Sequence, residues 1–230
     1  MKKHFDNLLK HIPDLISLTI LDLGSGRGDF LIECSRRGSR AMGLEYNSEY
    51  IDITKKLASE QNLDIEVIQG TAENMPFLDE SFDFVNIAEV IEHVNSPEQL
   101  LRELYRILKP GAKAYISIPN RFGLFDQHFH LYLINWLPRS LAYIVIGLFG
   151  KHKDYSGLAG RQNILNMHYY TFYRIKKVIR KQGFSVVDIR RKKIQKKFNL
   201  LTKFFIVPAY IVAMSLFFNS FHLLLTKTKL

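Results

Sequence analysis

Cysteine is almost absent from this chain of 230 residues, in which Cys34 is the single example. A lone cysteine has no partner for an intrachain disulfide, so the fold must rest on an apolar core, and an apolar share of 47% is enough at this length. We interpret Cys34 as a buried structural thiol. The chain also lacks internal repeats and low-complexity linkers. Residues 1–6 lack the apolar core of a secretion signal, from which we expect a cytoplasmic protein.

Acidic residues are scarce between Arg174 and Lys203. This basic stretch holds 12 Lys or Arg against Asp188, a balance of +11, so the rest of the chain carries −1 of the net charge of +10. Such a cluster suits the phosphates of nucleic acid or the headgroups of anionic lipid. The alternative is a solvated surface without a partner.

Three closely spaced glycines follow a predicted strand at 18–23. Gly24, Gly26 and Gly28 lie between that apolar run and residues 30–34, whose apolar members fall at helical spacing. The glycines therefore occupy a strand-to-helix turn. Because glycine permits positive φ and has no Cβ, the turn can lie directly against a ligand.

The residues around this turn narrow the class of ligand. Asp29 stands where a dinucleotide-binding pattern would have its third glycine, which disfavours nicotinamide and flavin cofactors. Glu45 lies 17 residues after Gly28, at the end of a second apolar run. An acid at this place can bind both hydroxyls of a ribose.

Four motifs in this order resemble class I S-adenosylmethionine-dependent methyltransferases, over roughly residues 15 to 120. Besides the glycine turn with Glu45, residues 70–77 resemble the segment that contacts adenine, 82–94 the fourth strand and its following turn, and 108–119 the start of the fifth strand. The resemblance implies S-adenosylmethionine as cofactor. It also implies an α/β, Rossmann-like, seven-stranded methyltransferase sheet, parallel with one antiparallel strand, with helices on both faces and an apolar helical cap.

The resemblance assigns cofactor binding to residues near the ends of the predicted strands. They are Asp22, Gly24, Ser25, Gly26, Gly28, Glu45, Tyr46, Thr71, Ala72, Glu73 and Ala88. Where the family often has Asp beside the adenine, this chain has Thr71. We therefore expect a backbone carbonyl or Glu73 to hold the exocyclic amine.

The alternation of strand and helix signals predicts parallel strands near 18–23, 40–45, 65–69, 82–88 and 113–118, with a sixth at 185–191. Helices are predicted at 48–61, 97–108 and 170–181, capped by Ser48, Ser96 and Thr171. We expect a single domain in three parts: a cofactor-binding core at 1–120, an apolar helical lid at 121–168, and a C-terminal part at 169–230.

Two apolar segments lie outside the core motifs. Residues 128–150 stand where such enzymes often carry a substrate lid, and 204–225 hold no acidic or basic side chain apart from His222. At ~1.5 Å per residue, 22 residues could cross a ~30 Å hydrocarbon core. However, 221–227 resemble the last antiparallel strand of the family, which predicts a short apolar helix at 208–218, packed on the domain or lying in a bilayer interface. Packing of the apolar helices on each other, or an oligomer interface, are the alternatives.

The cluster Glu89-Val90-Ile91-Glu92-His93 provides the candidate chemistry, because the acceptor must be positioned and lose a proton. On a helix, Glu89 would neighbour Glu92 and His93. The arrangement resembles that of ubiquinone-biosynthesis O-methyltransferases and of small-RNA 3′-terminal 2′-O-methyltransferases, in which a divalent ion is held there. In the former family a further histidine occurs at the place that His168 occupies. The ubiquinone-biosynthesis family has Asp where this chain has Tyr169, and related enzymes with the same motif use no metal. We predict His93 as catalytic residue and, as the metal hypothesis, Mg²⁺ or Zn²⁺ at Glu89, Glu92, His93 and His168.

The sequence thus predicts a methyltransferase acting on oxygen of an amphipathic or lipid-linked acceptor, attached peripherally to an anionic membrane. One alternative is an RNA-binding methyltransferase that uses the basic stretch. Another is a non-catalytic membrane-associated binding module.

Overall fold

The computed structural model describes residues 2–151, 163–190 and 200–228 of this chain. The strands are β1 (Thr19–Leu23), β2 (Arg40–Glu45), β3 (Glu66–Gln69), β4 (Phe82–Ile87), β5 (Leu108–Pro119), β6 (Phe125–Asp126), β7 (Leu131–Tyr132), β8 (Phe184–Asp188) and β9 (Ser220–Lys227). The helices are α1 (Lys2–Leu9), α2 (Asp29–Arg36), α3 (Ser48–Ser59), α4 (Pro97–Ile107), α5 (Arg139–Leu148), α6 (Phe172–Lys181) and α7 (Leu200–Phe217).

Seven strands form one sheet in the order β3-β2-β1-β4-β5-β9-β8. Strands β1 to β5 pair in parallel, and β9 runs antiparallel to both of its neighbours, β5 and β8. The predicted fold class, a Rossmann-like methyltransferase sheet with one antiparallel strand, is confirmed. Because the parallel strands share a direction, their carboxyl ends meet at one edge, where ligands bind in such sheets.

Each face of the sheet is covered by helices, as alternation along the strands requires. In β1, Ile20 packs in a cluster with α1 and α2, whereas Leu21 packs on the opposite side with α4 and α6. Tyr210 and Met214 of α7 join the second cluster. Cys34 is buried on the first side, as predicted.

Several predicted elements need correction at their ends. Helix α3 is capped by Asn47 rather than Ser48, because the Asn47 side chain accepts the Glu49 N–H at 2.9 Å. Ser96 and Thr171 cap α4 and α6 as predicted. Residues 89–95 form turns rather than the helix considered above. Part of the predicted basic stretch, 191–199, lies outside the described residues.

The apolar insert folds over the carboxyl edge of the sheet. It contains the β6–β7 pair, a short 3-10 turn at Ile134–Trp136 and helix α5, so its first apolar block is not an α-helix. Seven buried side chains form a separate apolar cluster within it: Phe129, Ile134, Ala142, Ile146, Ile164, Met167 and Tyr169. Among the described helices, none has the length and hydropathy needed to cross a membrane.

Candidate cofactor and acceptor site

The glycine turn is hydrogen-bonded to β2. The Gly24 N–H donates to the Leu44 carbonyl at 2.8 Å, and Gly24, Gly26 and Gly28 have φ of 70°, 54° and 77°. A Cβ on Gly24 would collide with Val90, and one on Gly28 with Thr54, whereas one on Gly26 would meet nothing within 4 Å. Two of the glycines therefore permit close packing. The third leaves open space above the turn.

Glu45 is fixed beside this space by two backbone donors. Its Oε2 accepts the Gly26 N–H at 2.8 Å and its Oε1 accepts the Asn47 N–H at 2.9 Å. The side chain is 8% exposed. Because a carboxylate can accept about four hydrogen bonds, Glu45 keeps capacity for two ligand hydroxyls.

A cavity of about 220 Å³ lies above the turn. Seven predicted cofactor residues line it: Gly24, Gly26, Glu45, Tyr46, Thr71, Ala72 and Glu73. Glu73 also supports the site, because its Oε1 accepts the Asn95 N–H at 2.7 Å. Tyr50 and Val90 line the cavity too and were not among the predicted cofactor residues: Tyr50 belongs to no motif, and Val90 lies in a cluster to which only chemistry and metal binding were assigned. The open space above Gly26, the remaining hydrogen-bonding capacity of Glu45 and the cavity itself fit the nucleoside part of S-adenosylmethionine.

Four predicted cofactor residues do not line this cavity: Asp22, Ser25, Gly28 and Ala88. Asp22 is buried below the turn and accepts the Asn86 Nδ2–H at 2.7 Å, and Asn86 in turn contacts His4 Nε2 at 2.9 Å. Burial, opposed by the Asn86 bond and assisted by the nearby charge of Glu45, raises the pKa of Asp22 to about 7. Asp22 thus supports the site from beneath.

A second cavity, of about 750 Å³, adjoins the first. Glu89 lines both, in a left-handed conformation with φ 59°, and its N–H donates to Ser117 Oγ at 2.9 Å. For a side chain with a Cβ this conformation is uncommon, and the bond from β5 holds it. Ala88 lines the larger cavity. Glu89 therefore marks the boundary between the two cavities.

Glu92 and His128 meet inside the larger cavity. Glu92 is 1% exposed, and neither of its carboxylate oxygens makes a hydrogen bond of ordinary geometry within the described residues. Its Oε1 lies 3.3 Å from His128 Nε2 and 3.9 Å from His93 Nε2. Burial disfavours the charged form of His128, but the carboxylates of Glu92, Asp126 and Glu89 outweigh it and raise its pKa above the usual value.

The same three residues could hold a metal. One ligand atom each from Glu92, His93 and His128 lies within 4.8 Å of the others. Glu89 and His168 do not belong to this group. His168 donates its N–H to the Glu92 carbonyl and lines another cavity. Sequence reasoning missed His128 because it lies in the insert, 35 residues after His93, without a motif around it.

The remaining wall of the larger cavity is amphipathic. Phe125, Phe217 and Phe218 contribute aromatic surface. Tyr115 and His222 contribute polar groups and are joined by a 2.5 Å hydrogen bond at His222 Nδ1. Burial, together with the charges of Arg190 and His4, lowers the pKa of His222 to about 4, so this imidazole is neutral near pH 7.

Comparison with known proteins agrees with this geometry. Residues 21–116 match a family model described as a methyltransferase domain. This segment is a class I methyltransferase domain. It contains β2 to β4, most of β1 and β5, the glycine turn, Glu45 and the Glu92-His93 turn. Enzymes of this class take S-adenosylmethionine as cofactor, and the residues lining the smaller cavity fit that molecule.

Curated relatives share part of the chain. A ubiquinone/menaquinone biosynthesis C-methyltransferase, UbiE, of Geotalea daltonii is 35% identical over 147 residues, which are 60% of each chain. A demethylmenaquinone methyltransferase of Lactococcus lactis is 35% identical over 139 residues, 56% of this chain and 54% of that protein. The chain thus spans little more than half the length of these relatives.

Solved structures extend the likeness to nearly the whole fold. YcgJ of Bacillus subtilis superposes with a TM-score of 0.61 at 15% identity, covering 98% of this chain and 100% of that one. An S-adenosylmethionine-dependent methyltransferase of Mesorhizobium loti gives 0.61 at 14% identity, with 95% of each chain covered. At such identities the likeness concerns the fold alone.

Proposed function

We propose that this protein transfers a methyl group from S-adenosylmethionine to a hydroxyl of an amphipathic acceptor at a membrane surface. The observation that carries the proposal is the pair of adjoining cavities, with Glu89 on their shared wall. The smaller cavity suits the cofactor, and the larger one has both aromatic and ionisable walls. A separate acceptor cavity next to the cofactor is what a transfer reaction requires.

S-adenosylmethionine supplies an electrophilic methyl group when bound. Around the cofactor, Glu45 would hold the ribose hydroxyls and the glycine turn would support the amino acid part. His128 lines the larger cavity, where it would be within reach of an acceptor proton, and His93 lies next to it on the wall of the smaller cavity, with the two ring centres 5.1 Å apart. The Glu92 carboxylate would stabilise the imidazolium that forms. Removing this proton makes a phenolic oxygen more nucleophilic, and it also activates the adjacent ring carbon.

Whether oxygen or carbon is methylated is therefore a separate part of the proposal. The printed names of the curated relatives include C-methyltransferases of quinone biosynthesis. The same base would serve transfer to oxygen or to carbon of a phenolic acceptor. We propose oxygen because the Glu92-His93 motif resembles the O-methyltransferases named above, and NMR of the product distinguishes the two.

A metal is the second candidate for activating the acceptor. Glu92, His93 and His128 provide one carboxylate and two imidazoles, a donor set that suits Zn²⁺. If a metal binds there, Glu92 would be a ligand, and its lack of ordinary hydrogen bonds would be explained. Titration with Zn²⁺ and Mg²⁺ after EDTA treatment separates this arrangement from a metal-free base.

The test begins with isothermal titration of the full chain with S-adenosylmethionine and S-adenosylhomocysteine. Methyl transfer to prenylated phenols of increasing chain length is then measured for Glu92→Gln and for the exposed control Glu98→Gln. We expect micromolar cofactor binding in all three proteins and a loss of rate of about 10²-fold or more for Glu92→Gln alone. No cofactor binding by the wild type would refute the enzymatic proposal. An undiminished rate in Glu92→Gln would show that the histidine base does not need Glu92, and this part of the proposal would be dropped.

A further inference from the structure

Three arginines surround a third cavity, of about 300 Å³, behind the insert. Arg121 follows the carboxyl end of β5, Arg139 opens α5, and Arg174 lies in the first turn of α6. Backbone pairing brings the segments together, because the Arg121 N–H donates to the Tyr170 carbonyl at 2.8 Å. No Asp or Glu is among the described residues that line the cavity.

Two of these guanidinium groups are left with unused donors. Arg121 Nη1 and Arg139 Nη1 are buried and have no hydrogen-bond partner in the described part of the chain. Arg121 satisfies another donor on the Leu137 carbonyl at 2.9 Å, and Arg139 stacks 4.4 Å from the ring centre of Tyr169. Leaving a buried charged donor unpaired is costly, so these atoms mark a place for an acceptor group.

Asp126, whose charge acts on Arg139, makes no ion pair with these arginines in the described part of the chain. The Asp126 carboxylate already accepts bonds from two backbone N–H groups, from Asn135 Nδ2 and from the Tyr169 hydroxyl. Burial lowers the pKa of Arg121, and burial together with the charge of Arg121 lowers the pKa of Arg139. For Arg139, the charge of Asp126 acts in the opposite direction but does not outweigh burial.

The start of α6 adds to the positive electrostatic potential in this cavity. Thr171 caps this ten-residue helix and lines the cavity, and the first turn contains Arg174 and no acid. A cation in the first turn opposes the helix dipole, whereas an anion placed there would be favoured by both the dipole and the arginine. The arrangement therefore gains stability when an anion occupies the cavity.

We propose that this cavity binds a phosphate monoester or diphosphate group through Arg121, Arg139 and the start of α6. Planar guanidinium groups match phosphate oxygens in pairs, which favours phosphate over a halide. Tyr169 lines both this cavity and the larger acceptor cavity, so a phosphate held here would stand one side chain away from the acceptor. If the proposed function holds, the group is the phosphate head of the acceptor itself.

The experiment titrates the full chain with inorganic phosphate and pyrophosphate by calorimetry, and measures binding to phosphatidylcholine vesicles with and without phosphatidic acid. The variants are Arg121→Gln and Arg139→Gln, with the exposed Arg40→Gln as matched control. We expect each site variant to weaken binding about tenfold or more, since charge-assisted bonds are lost, and the control to match the wild type. Reduced pyrophosphate binding identifies a soluble phosphate group, whereas reduced binding of phosphatidic acid vesicles alone identifies a lipid headgroup. Either result supports the site.

Binding of neither probe by the wild type would overturn the proposal, and so would equal weakening by Arg40→Gln, because that indicates diffuse charge. S-adenosylmethionine titration of the same samples separates this outcome from failure of the proposed function: cofactor binding without phosphate binding removes only the phosphate site. If a variant does not fold, phenylglyoxal modification of the wild type replaces it. We expect pyrophosphate to protect Arg121 and Arg139 but not Arg40, and equal reaction at all three would overturn the site.

Discussion

Glu45 is the single side chain whose loss should most weaken cofactor binding. Its carboxylate is oriented by the Gly26 and Asn47 N–H groups, at the edge of the smaller cavity. We expect Glu45→Ala to weaken S-adenosylmethionine binding by about 10- to 100-fold, since two charge-assisted hydrogen bonds disappear. Calorimetric titration measures this directly.

The matched control is Glu49→Ala, an exposed acid in the first turn of α3. It should leave the affinity unchanged. Equal affinities for Glu45→Ala and the wild type would remove Glu45 from the ribose site and leave it the role of joining the glycine turn to β2.

Asp22 predicts a pH dependence of stability. Burial raises its pKa to about 7, whereas the unfolded chain loses this proton near pH 4. Between these values the native state binds more protons, so the free energy of unfolding falls as pH rises from about 4 to about 7 and is constant above. At about 1.4 kcal/mol per pKa unit, the loss is several kcal/mol at most.

Asp22→Asn should abolish this loss. The variant retains an acceptor for the Asn86 amide and carries no charge, so it should unfold at a higher temperature than the wild type at pH 8 and at a similar one at pH 4. Thermal melts at both values test the prediction, with the exposed Asp64→Asn as control. If Asp22→Asn changed the unfolding temperature by the same amount at pH 4 and pH 8, Asp22 would not titrate in the way predicted.

Local motifs predicted seven of the residues that line the smaller cavity, but only two of the three residues in the Glu92-His93-His128 group. The glycine turn, Glu45 and Thr71-Ala72-Glu73 are each continuous in sequence, so their contact with one cavity followed from strand order. His128 reaches Glu92 because the insert folds back over β4. No residue near His128 in sequence indicates that path.

At the scale of elements, predictions worked where alternation or capping is strong. The strands of the core follow apolar runs, and Ser96 and Thr171 are followed by helical periodicity. The turn at 89–95 differed because Glu89 adopts positive φ, held by Ser117 on a strand distant in sequence. A helix was the local preference, and tertiary hydrogen bonding overrode it.

The cap of α3 gives a direct test of one such correction. Asn47 accepts the Glu49 N–H, whereas Ser48 is the first helical residue. Asn47→Ala should therefore lower the free energy of unfolding by about 1 kcal/mol, and Ser48→Ala should change it little. Urea unfolding of both variants measures the difference. The reverse ranking would restore Ser48 as the cap.

At the scale of the molecule, the described surface carries both exposed apolar side chains and cations. Leu141, Ile144 and Leu148 form an exposed stripe on α5, and Phe205 and Val212 are exposed on α7. Basic side chains in the described part of the chain include those of α6 and Arg190. Because apolar side chains and basic groups together favour binding to an anionic bilayer, these residues support the proposed attachment to a membrane surface.

This surface predicts how the protein partitions onto vesicles. Ile144→Ser with Leu148→Ser should reduce flotation with anionic liposomes several-fold, because two side chains that are 56% and 80% exposed no longer enter the interface. Leu78→Ser, at a position 83% exposed but remote from α5 in sequence, is the matched control and should float like the wild type. Membrane attachment should weaken in both detergent and high salt. If high salt abolishes binding of the protein to its partner and detergent does not, the result favours RNA as the partner. Contacts with nucleic acid phosphates weaken in salt through counterion release and do not require an intact bilayer.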